Sequence, residues 1–311
     1  MPVISANGID IAYDDRGNRD DPAILLIMGL ATQMIAWPEL LCDGLAARGF
    51  RVVRFDNRDV GLSTKFEAAP PIDLGAILQQ VMAGEKINPP YDLADMAADT
   101  VGLMDRLEID KAHVVGASMG GMIAQIVAAK YPNRVRSLVS IMSSSGDPGL
   151  PPAKPEAMNA IMQARPDGSD RELAIQHGMR VYRAIGSPGF STPDDELRAK
   201  VGAAFDRSYY PTGTGRQFAA IVASGSRVEM LKVLSVPTLV LHGADDPLVP
   251  VEAGRHTAAQ IPGSTLTIIP GMGHDLATGL IPILVEAIAT HCQAADQQAE
   301  PATIMEKSGS P

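Results

Sequence analysis

The sequence predicts an α/β fold in which helices cover a mostly parallel β-sheet. Short apolar runs recur along the 311-residue chain and are stopped by Gly or Asp, which is typical of strands buried on both faces. Longer segments with helical apolar spacing lie between these runs. The composition, with 46% hydrophobic and 20% charged residues, provides enough apolar side chains for a substantial core.

The first predicted element is a β-hairpin. Asn7 and Gly8 separate runs 3–6 and 9–13 and supply the positive φ angles that a two-residue turn requires. Buried strands are then predicted over the apolar runs 23–28, 51–55, 112–115, 138–142, 238–242 and 265–269.

Helices are predicted over 38–48, 95–107, 119–130 and 278–291 and near 251–260. The segment from Asp147 to about Lys232 opens with several prolines and then becomes richer in charge, so we expect an inserted helical cap. The chain thus divides into a core (1–146), a cap (147–232), a second core part (233–292) and a polar tail (293–311), which we expect to be disordered.

A candidate nucleophile lies at the junction of a predicted strand and a predicted helix. Residues 116–120 form the pattern G-x-S-x-G, with Ser118 at its centre. A sharp strand-to-helix turn exposes the serine hydroxyl at the sheet edge, and the flanking glycines permit close backbone approach. The placement of the pattern, more than its letters, indicates a functional serine.

A serine hydroxyl needs a base, and His274 is the best placed of six histidines. It follows the last predicted strand directly after a flexible Gly-Met-Gly turn. We interpret His113 and His242 as buried strand residues, and His256 and His291 as helix-surface residues. His177 belongs to the predicted cap and at most lines the pocket.

The imidazole in turn needs an anion to fix its tautomer. Asp245 and Asp246 both follow a predicted strand. We favour Asp246 because Pro247 stiffens the loop after it, and we expect Asp245 to cap a turn or face solvent. Asp147, which follows the strand ending near Met142, remains an alternative acid.

Two backbone amides are predicted to stabilise the charge that develops on a carbonyl oxygen under attack. One is the N–H of Met119, which follows the serine, and the other is the N–H of Leu30, in the loop after the strand 23–28. We expect Asp56 and Arg58, beside this site, to form a structural ion pair that holds their loop.

Composition opposes several other functions. A net charge of −10 and only 4% aromatic residues oppose nucleic-acid binding. No metal-ligand spacing and no cluster of Arg or Lys for phosphate or carboxylate is evident, so we expect no metal and no cofactor.

Cys42 and Cys292 are expected to be reduced core residues. We expect neither a signal peptide nor a membrane span, and therefore a cytoplasmic protein.

Three motifs in this order resemble the α/β-hydrolase superfamily: Gly-Ala-Ser-Met-Gly-Gly at 116–121, Gly-Ala-Asp-Asp-Pro-Leu-Val-Pro at 243–250 and Gly-Met-Gly-His at 271–274. Met-Gly-Leu-Ala-Thr-Gln at 28–33 and Phe-Asp-Asn-Arg-Asp-Val-Gly-Leu-Ser at 55–63 further resemble bacterial carboxylesterases of the aclacinomycin methylesterase-like subgroup. Many relatives carry His-Gly where this chain has Met28-Gly29.

The resemblance implies an eight-stranded sheet with a helical cap after the sixth strand. It also implies cofactor-free ester hydrolysis through an acyl-enzyme, with Ser118 as nucleophile, Asp246 as acid and His274 as base. We expect a carboxylesterase for small to medium neutral esters, and assembly as a homo-oligomer stays open. Methionines of the cap, Met158, Met162, Met179 and Met230, either line its pocket or only pack.

Other functions of the same three catalytic residues stay open. The protein could cleave C–C bonds, lactones or thioesters, or act as a perhydrolase. A non-catalytic ligand-binding protein of this fold is a further alternative.

Overall fold

The computed structural model describes residues 1–299, and within them it places one eight-stranded sheet. The strands are β1 (Val3–Ala6), β2 (Ile9–Arg16), β3 (Ala23–Ile27), β4 (Arg51–Phe55), β5 (Ala112–Ala117), β6 (Val135–Ile141), β7 (Thr238–Gly243) and β8 (Thr265–Ile269). Their spatial order is β1-β2-β4-β3-β5-β6-β7-β8. Strand β2 pairs antiparallel with β1 and β4, and all the other pairs are parallel. The predicted fold class is confirmed.

The helices alternate with these strands. They are α1 (Glu39–Ala46), α2 (Leu74–Met82), α3 (Leu93–Arg106), α4 (Met119–Lys130), α5 (Pro155–Met162), α6 (Arg171–Ile185), α7 (Asp194–Arg207), α8 (Thr212–Ser224), α9 (Val228–Leu231), α10 (Val251–Gln260) and α11 (Ile281–Ala299). The sequence predicted the core helices but not α2. It also placed the start of α3 two residues late, because Asp92 and Asp95 form a capping box that starts this helix at Leu93.

Two apolar layers enclose the central strands, because successive strand side chains point to opposite faces. Leu25 and Val114 pack on the side of α3 and α4, whereas Ile24 and Val115 pack on the side of α1 and α11. All but a few residues of α4 are buried, as its apolar sequence predicted. The carboxyl end of β5, where α4 begins, is therefore held rigidly from both faces.

The insertion predicted after the sixth strand is present, because α5 to α9 all lie between β6 and β7. Helices α6 and α7 share a small core of their own, built on Ile175, Met179 and Leu197. By contrast, Ala220 of α8 and Leu231 of α9 belong to the large core that includes α3 and α4. The limits 147 and 232 of a cap unit remain a prediction.

The last helix extends further than the sequence predicted. Disorder was expected from residue 293 onward, but α11 continues to Ala299, so that expectation is wrong for residues 293–299. Asp296 explains the difference, since it accepts a hydrogen bond from Arg136 (2.9 Å) and lies 3.2 Å from His113 Nε2. These partners on β5 and β6 anchor the polar end of the helix. The rest of the predicted tail, 300–311, lies outside the described residues.

Both cysteines are free and buried, as predicted. Burial raises the pKa of the Cys42 thiol to about 11 and that of the Cys292 thiol to about 12, so neither supplies a thiolate nucleophile near neutral pH.

Within residues 1–299, no helix combines the length and the apolar content needed to cross a lipid bilayer.

Candidate active site

Ser118 occupies the sharp turn between β5 and α4. Its backbone has φ of 56° and ψ of −121°, in the left-handed half of conformational space that non-glycine residues rarely adopt. The turn is fixed by two hydrogen bonds: Ser118 N donates to Ile141 O (2.9 Å), and Ser143 Oγ donates to Ser118 O (2.8 Å). The serine hydroxyl is thus held at the carboxyl edge of the sheet.

The glycines around Ser118 are required by close backbone approach. A Cβ atom at Gly116 would lie 2.1 Å from the carbonyl oxygen of Gly120, and one at Gly120 would lie 2.0 Å from the carbonyl oxygen of Ile27. Neither atom could be accommodated without moving β3 or the turn itself. The G-x-S-x-G pattern therefore follows from the packing of β3, β5 and α4.

His274 lies in the loop after β8 and faces Ser118. Its Nε2 is 2.9 Å from Ser118 Oγ, and its Nδ1 is 2.8 Å from Asp246 Oδ2. An ionised carboxylate can only accept hydrogen bonds, so Nδ1–H donates to Asp246 and Nε2 is left to accept the proton of the serine hydroxyl. The His274 amide donates to Ile185 O of the cap (2.7 Å), which fixes the position of the histidine.

Asp246 is fully buried at the turn after β7. Its Oδ1 accepts hydrogen bonds from the amides of Leu248 (2.9 Å) and Val249 (2.8 Å), so Oδ2 remains directed at His274. His242 Nε2 lies 3.7 Å from the same carboxylate and donates to Val249 O. Burial lowers the pKa of His242, so it is neutral at neutral pH.

The alternative acids lie elsewhere. Asp245 is exposed and accepts a hydrogen bond from the Gly271 amide (2.8 Å). Asp147 lies 3.9 Å from His256 rather than near His274. The structure thus brings Asp246, and neither alternative, to the imidazole of His274.

Two backbone amides next to Ser118 have no acceptor among the described residues. The Met119 amide is the first of α4, where helix amides lack intrahelical partners. The Leu30 amide belongs to the loop of residues 28–36, called here the β3 loop. A Cβ at Gly29 would lie 3.1 Å from Ser118 Cβ, so the β3 loop passes Ser118 in van der Waals contact. Both predicted donors border the serine.

The β3 loop is held from the core and from the cap. On the core side, Asn57 Nδ2 donates to Met28 O (2.9 Å), and Asp56 Oδ1 accepts from the Met34 amide (2.8 Å). On the cap side, the fully buried Gln217 of α8 accepts from the Ala31 amide (2.7 Å) and donates to Arg58 O (2.7 Å). These bonds hold the β3 loop on both sides of Leu30.

The predicted ion pair between Asp56 and Arg58 is wrong. Asp56 instead binds Arg207 of α7 (2.8 Å), and Arg58 binds Asp99 of α3 (2.6 Å). Both residues still have a structural role, but each is paired across long sequence separation. Chain topology, not local spacing, sets these partners.

A cavity of about 600 Å³ lies between the sheet edge and the cap, and Ser118 and His274 form part of its wall. Most of the wall is apolar. Four of its methionines come from the core, namely Met28, Met119, Met122 and Met142. Of the cap methionines considered above, Met158 lines the cavity, whereas Met179 packs in the cap core and Met230 is partly exposed.

Within residues 1–299, no group of three or more His, Cys, Asp or Glu side chains is arranged to hold a metal ion.

Comparison with known proteins defines the class. A family model described as the alpha/beta hydrolase fold matches residues 22–277. Rhodomycin D methylesterase of Streptomyces sp. (strain C5) is 26% identical over 318 residues, which cover 94% of this chain and 98% of the relative. A bifunctional esterase/perhydrolase of Acinetobacter calcoaceticus is 27% identical over 289 residues, covering 89% and 93%.

A solved structure supports the fold. The meta-cleavage product hydrolase of Pseudomonas fluorescens IP01 aligns with a TM-score of 0.73 and 20% identity, covering 95% of this chain and 98% of that chain. Together, the fold and the relatives define a hydrolase enzyme of the carboxylesterase type. The chain belongs to the α/β-hydrolase fold family.

Sequence reasoning missed some residues that shape the site. Gln217 sits in the cap and reaches the β3 loop, and Arg165 lines the cavity from a loop of the cap. No local pattern marks either residue. The sequence shows Arg165 as one of the charged residues of the cap, but it does not show that this residue faces the cavity.

Proposed function

We propose that this chain hydrolyses carboxylic esters through a covalent acyl-enzyme on Ser118. The observation that carries the proposal is the chain of hydrogen bonds from Asp246 through His274 to Ser118, at the wall of an apolar cavity. Relatives named as a methylesterase and as an esterase/perhydrolase support ester hydrolysis as the reaction.

Acylation begins when Ser118 Oγ attacks the ester carbonyl carbon while His274 Nε2 takes the hydroxyl proton. The carbonyl π electrons move to oxygen and form a tetrahedral intermediate. When this intermediate collapses, the C–O bond to the alcohol breaks and His274 returns the proton to the leaving oxygen. Water then repeats the sequence on the acyl-enzyme, releasing the acid and restoring Ser118.

The N–H groups of Leu30 and Met119 are the proposed donors to the oxyanion. Both are fixed before substrate arrives, so little reorganisation is needed as charge develops. Removal of one such donor in other enzymes costs about 2.7–4 kcal/mol of transition-state stabilisation. Asp246 stabilises the imidazolium that forms at the same moment, and its burial keeps that interaction out of water.

The cavity limits the size of the substrate. A volume of about 600 Å³ and a mainly apolar wall suit a small to medium acyl or alcohol group. Methionine side chains adapt to several shapes, so we propose tolerance for different ester groups within that size.

Initial rates on p-nitrophenyl esters of graded chain length, a methyl ester, a lactone and a thioester test the proposal. We expect ester hydrolysis with short to medium acyl groups, and at least a ~10³-fold loss of kcat in Ser118→Ala. Hydrolysis that survives Ser118→Ala would refute the mechanism. Rates that keep rising up to long-chain triglycerides would refute the size class. Saturable ligand binding without turnover by the wild type would favour a binding protein.

A further inference from the structure

Arg165 of the cap lines the cavity whose wall includes Ser118 and His274. It lies in the loop between α5 and α6 and is partly exposed. The loop is well fixed. Tyr209 Oη donates to Pro166 O (2.7 Å), and Gly168 packs so closely on the Tyr209 ring that a Cβ there would lie 2.8 Å from it.

The other charged side chains of the cavity wall are those of Asp59, Lys200 and Asp275. Asp59 is bound by Arg216 through two hydrogen bonds of 2.8 and 2.9 Å. Lys200 forms no ion pair with a described residue: its Nζ lies 4.7 Å from the centre of the Tyr182 ring, and its positive charge opposes the rise in pKa that burial gives Asp275. The side chain of Arg165 likewise forms no ion pair and no hydrogen bond with any other described residue.

The surroundings of Arg165 do not neutralise it. The side chains that interact with the charge of Arg165 include Tyr182 and Tyr209, which supply no carboxylate. Burial lowers the pKa of His177, and the charge of Arg165 lowers it further, so this buried histidine stays neutral as well. A guanidinium keeps its proton in proteins and pairs well with a carboxylate. No carboxylate of the described residues pairs with Arg165, so a bound ligand can supply one.

We propose that Arg165 binds a carboxylate at the far end of the substrate, so that the preferred substrates are esters carrying one free carboxylate beyond the scissile bond. The planar guanidinium offers two parallel N–H donors that match a carboxylate. This inference rests on the proposed esterase function and replaces the neutral esters expected from the sequence.

The test compares p-nitrophenyl hemi-esters of adipate, suberate and sebacate with isosteric esters whose terminal carboxylate is a primary amide. These diacids are long enough that the free carboxylate does not attack its own ester. The measured quantity is the ratio of kcat/KM for the acid over kcat/KM for the amide. We expect the wild type to favour at least one acid by about 10- to 100-fold, as for hydrogen bonds to a charged group.

Arg165→Gln should bring this ratio close to one, and Arg165→Lys should restore part of it. Arg180→Gln is the matched control, because Arg180 carries the same charge on the exposed face of α6; its ratio should equal that of the wild type. A ratio near one in the wild type, or a ratio that Arg165→Gln leaves unchanged, would overturn the inference while the esterase function stands.

If the wild type hydrolyses none of these esters, the proposed function fails and binding still decides the inference. Calorimetric titration of the adipate, suberate and sebacate hemi-esters into Ser118→Ala should then show binding that is weakened about 10-fold or more by adding Arg165→Gln. Equal affinities in the two variants, or no binding of any hemi-ester, would overturn it. Melting temperatures of all variants exclude unfolding as the cause.

Discussion

The substitution Asp246→Asn tests the proposed role of the buried carboxylate with little change in shape. The asparagine Oδ1 can still accept the hydrogen bonds of the Leu248 and Val249 amides, so the turn after β7 should be preserved. Its amide nitrogen would then replace Oδ2, which lies 2.8 Å from His274 Nδ1. An amide N–H donates, so the imidazole would have to accept at Nδ1 and carry its proton on Nε2.

That tautomer presents a donor, not an acceptor, to Ser118 Oγ. The base is then lost, and the imidazolium that forms during attack no longer has a buried anion beside it. The equivalent change in a serine protease lowers kcat by about 10⁴-fold. We expect a loss of the same order here, which corresponds to about 5.4 kcal/mol in the activation barrier.

The assay is kcat for the best p-nitrophenyl ester, measured beside the melting temperature. Asp245→Asn and Asp147→Asn are matched controls, since both remove a carboxylate from a neighbouring loop and neither contacts His274. We expect each control to retain kcat within about threefold, because exposed charges of this kind contribute little. A loss of kcat below tenfold in Asp246→Asn, or a loss of kcat above about threefold in either control, would refute the reasoning.

Three further changes probe the frame around the site. Gly120→Ala should prevent stable folding, since its Cβ would lie 2.0 Å from Ile27 O; a thermal melt like that of the wild type would contradict the close packing. Gln217→Ala should lower the free energy of unfolding by about 2–4 kcal/mol and also lower kcat, because it leaves the Ala31 amide and the Arg58 carbonyl without partners. Denaturant unfolding and initial rates measure the two effects. An unchanged kcat would refute the claim that Gln217 supports the β3 loop. Burial lowers the pKa of His242 and His291, so below about pH 6.5 the unfolded chain binds more protons than the folded chain. The free energy of unfolding should then fall by up to about 1.4 kcal/mol per pH unit for each histidine, and His291→Gln should reduce this dependence on pH. A melting temperature constant from about pH 7.5 to about pH 5.5 would contradict the prediction.

Much of the sheet could be predicted because burial on both faces leaves a direct mark on the sequence. Each central strand is a short apolar run ended by a turn residue, and β3, β4 and β5 follow those runs closely. Parallel strands share one carboxyl edge, so residues that follow β5, β7 and β8 must lie near one another. The proximity of Ser118, Asp246 and His274 follows from that topology.

The features that could not be predicted depend on partners far away in the chain. Asp56 and Arg58 looked like a pair because they are neighbours, yet their partners are 151 and 41 residues away. The end of α11 looked like a disordered tail, since only the fold brings Arg136 to Asp296. Arg165 had no distinguishing pattern, because a lone arginine in a loop becomes informative only when its surroundings are known.

Covalent labelling of Ser118 tests the central claim most directly. The protein is incubated with a fluorophosphonate, digested and analysed by peptide mass spectrometry. The account predicts one equivalent of label on the peptide that contains Ser118, no label in Ser118→Ala, and much slower labelling in His274→Gln because the hydroxyl has lost its base. Label on another residue, or equal labelling of the wild type and Ser118→Ala, would contradict it.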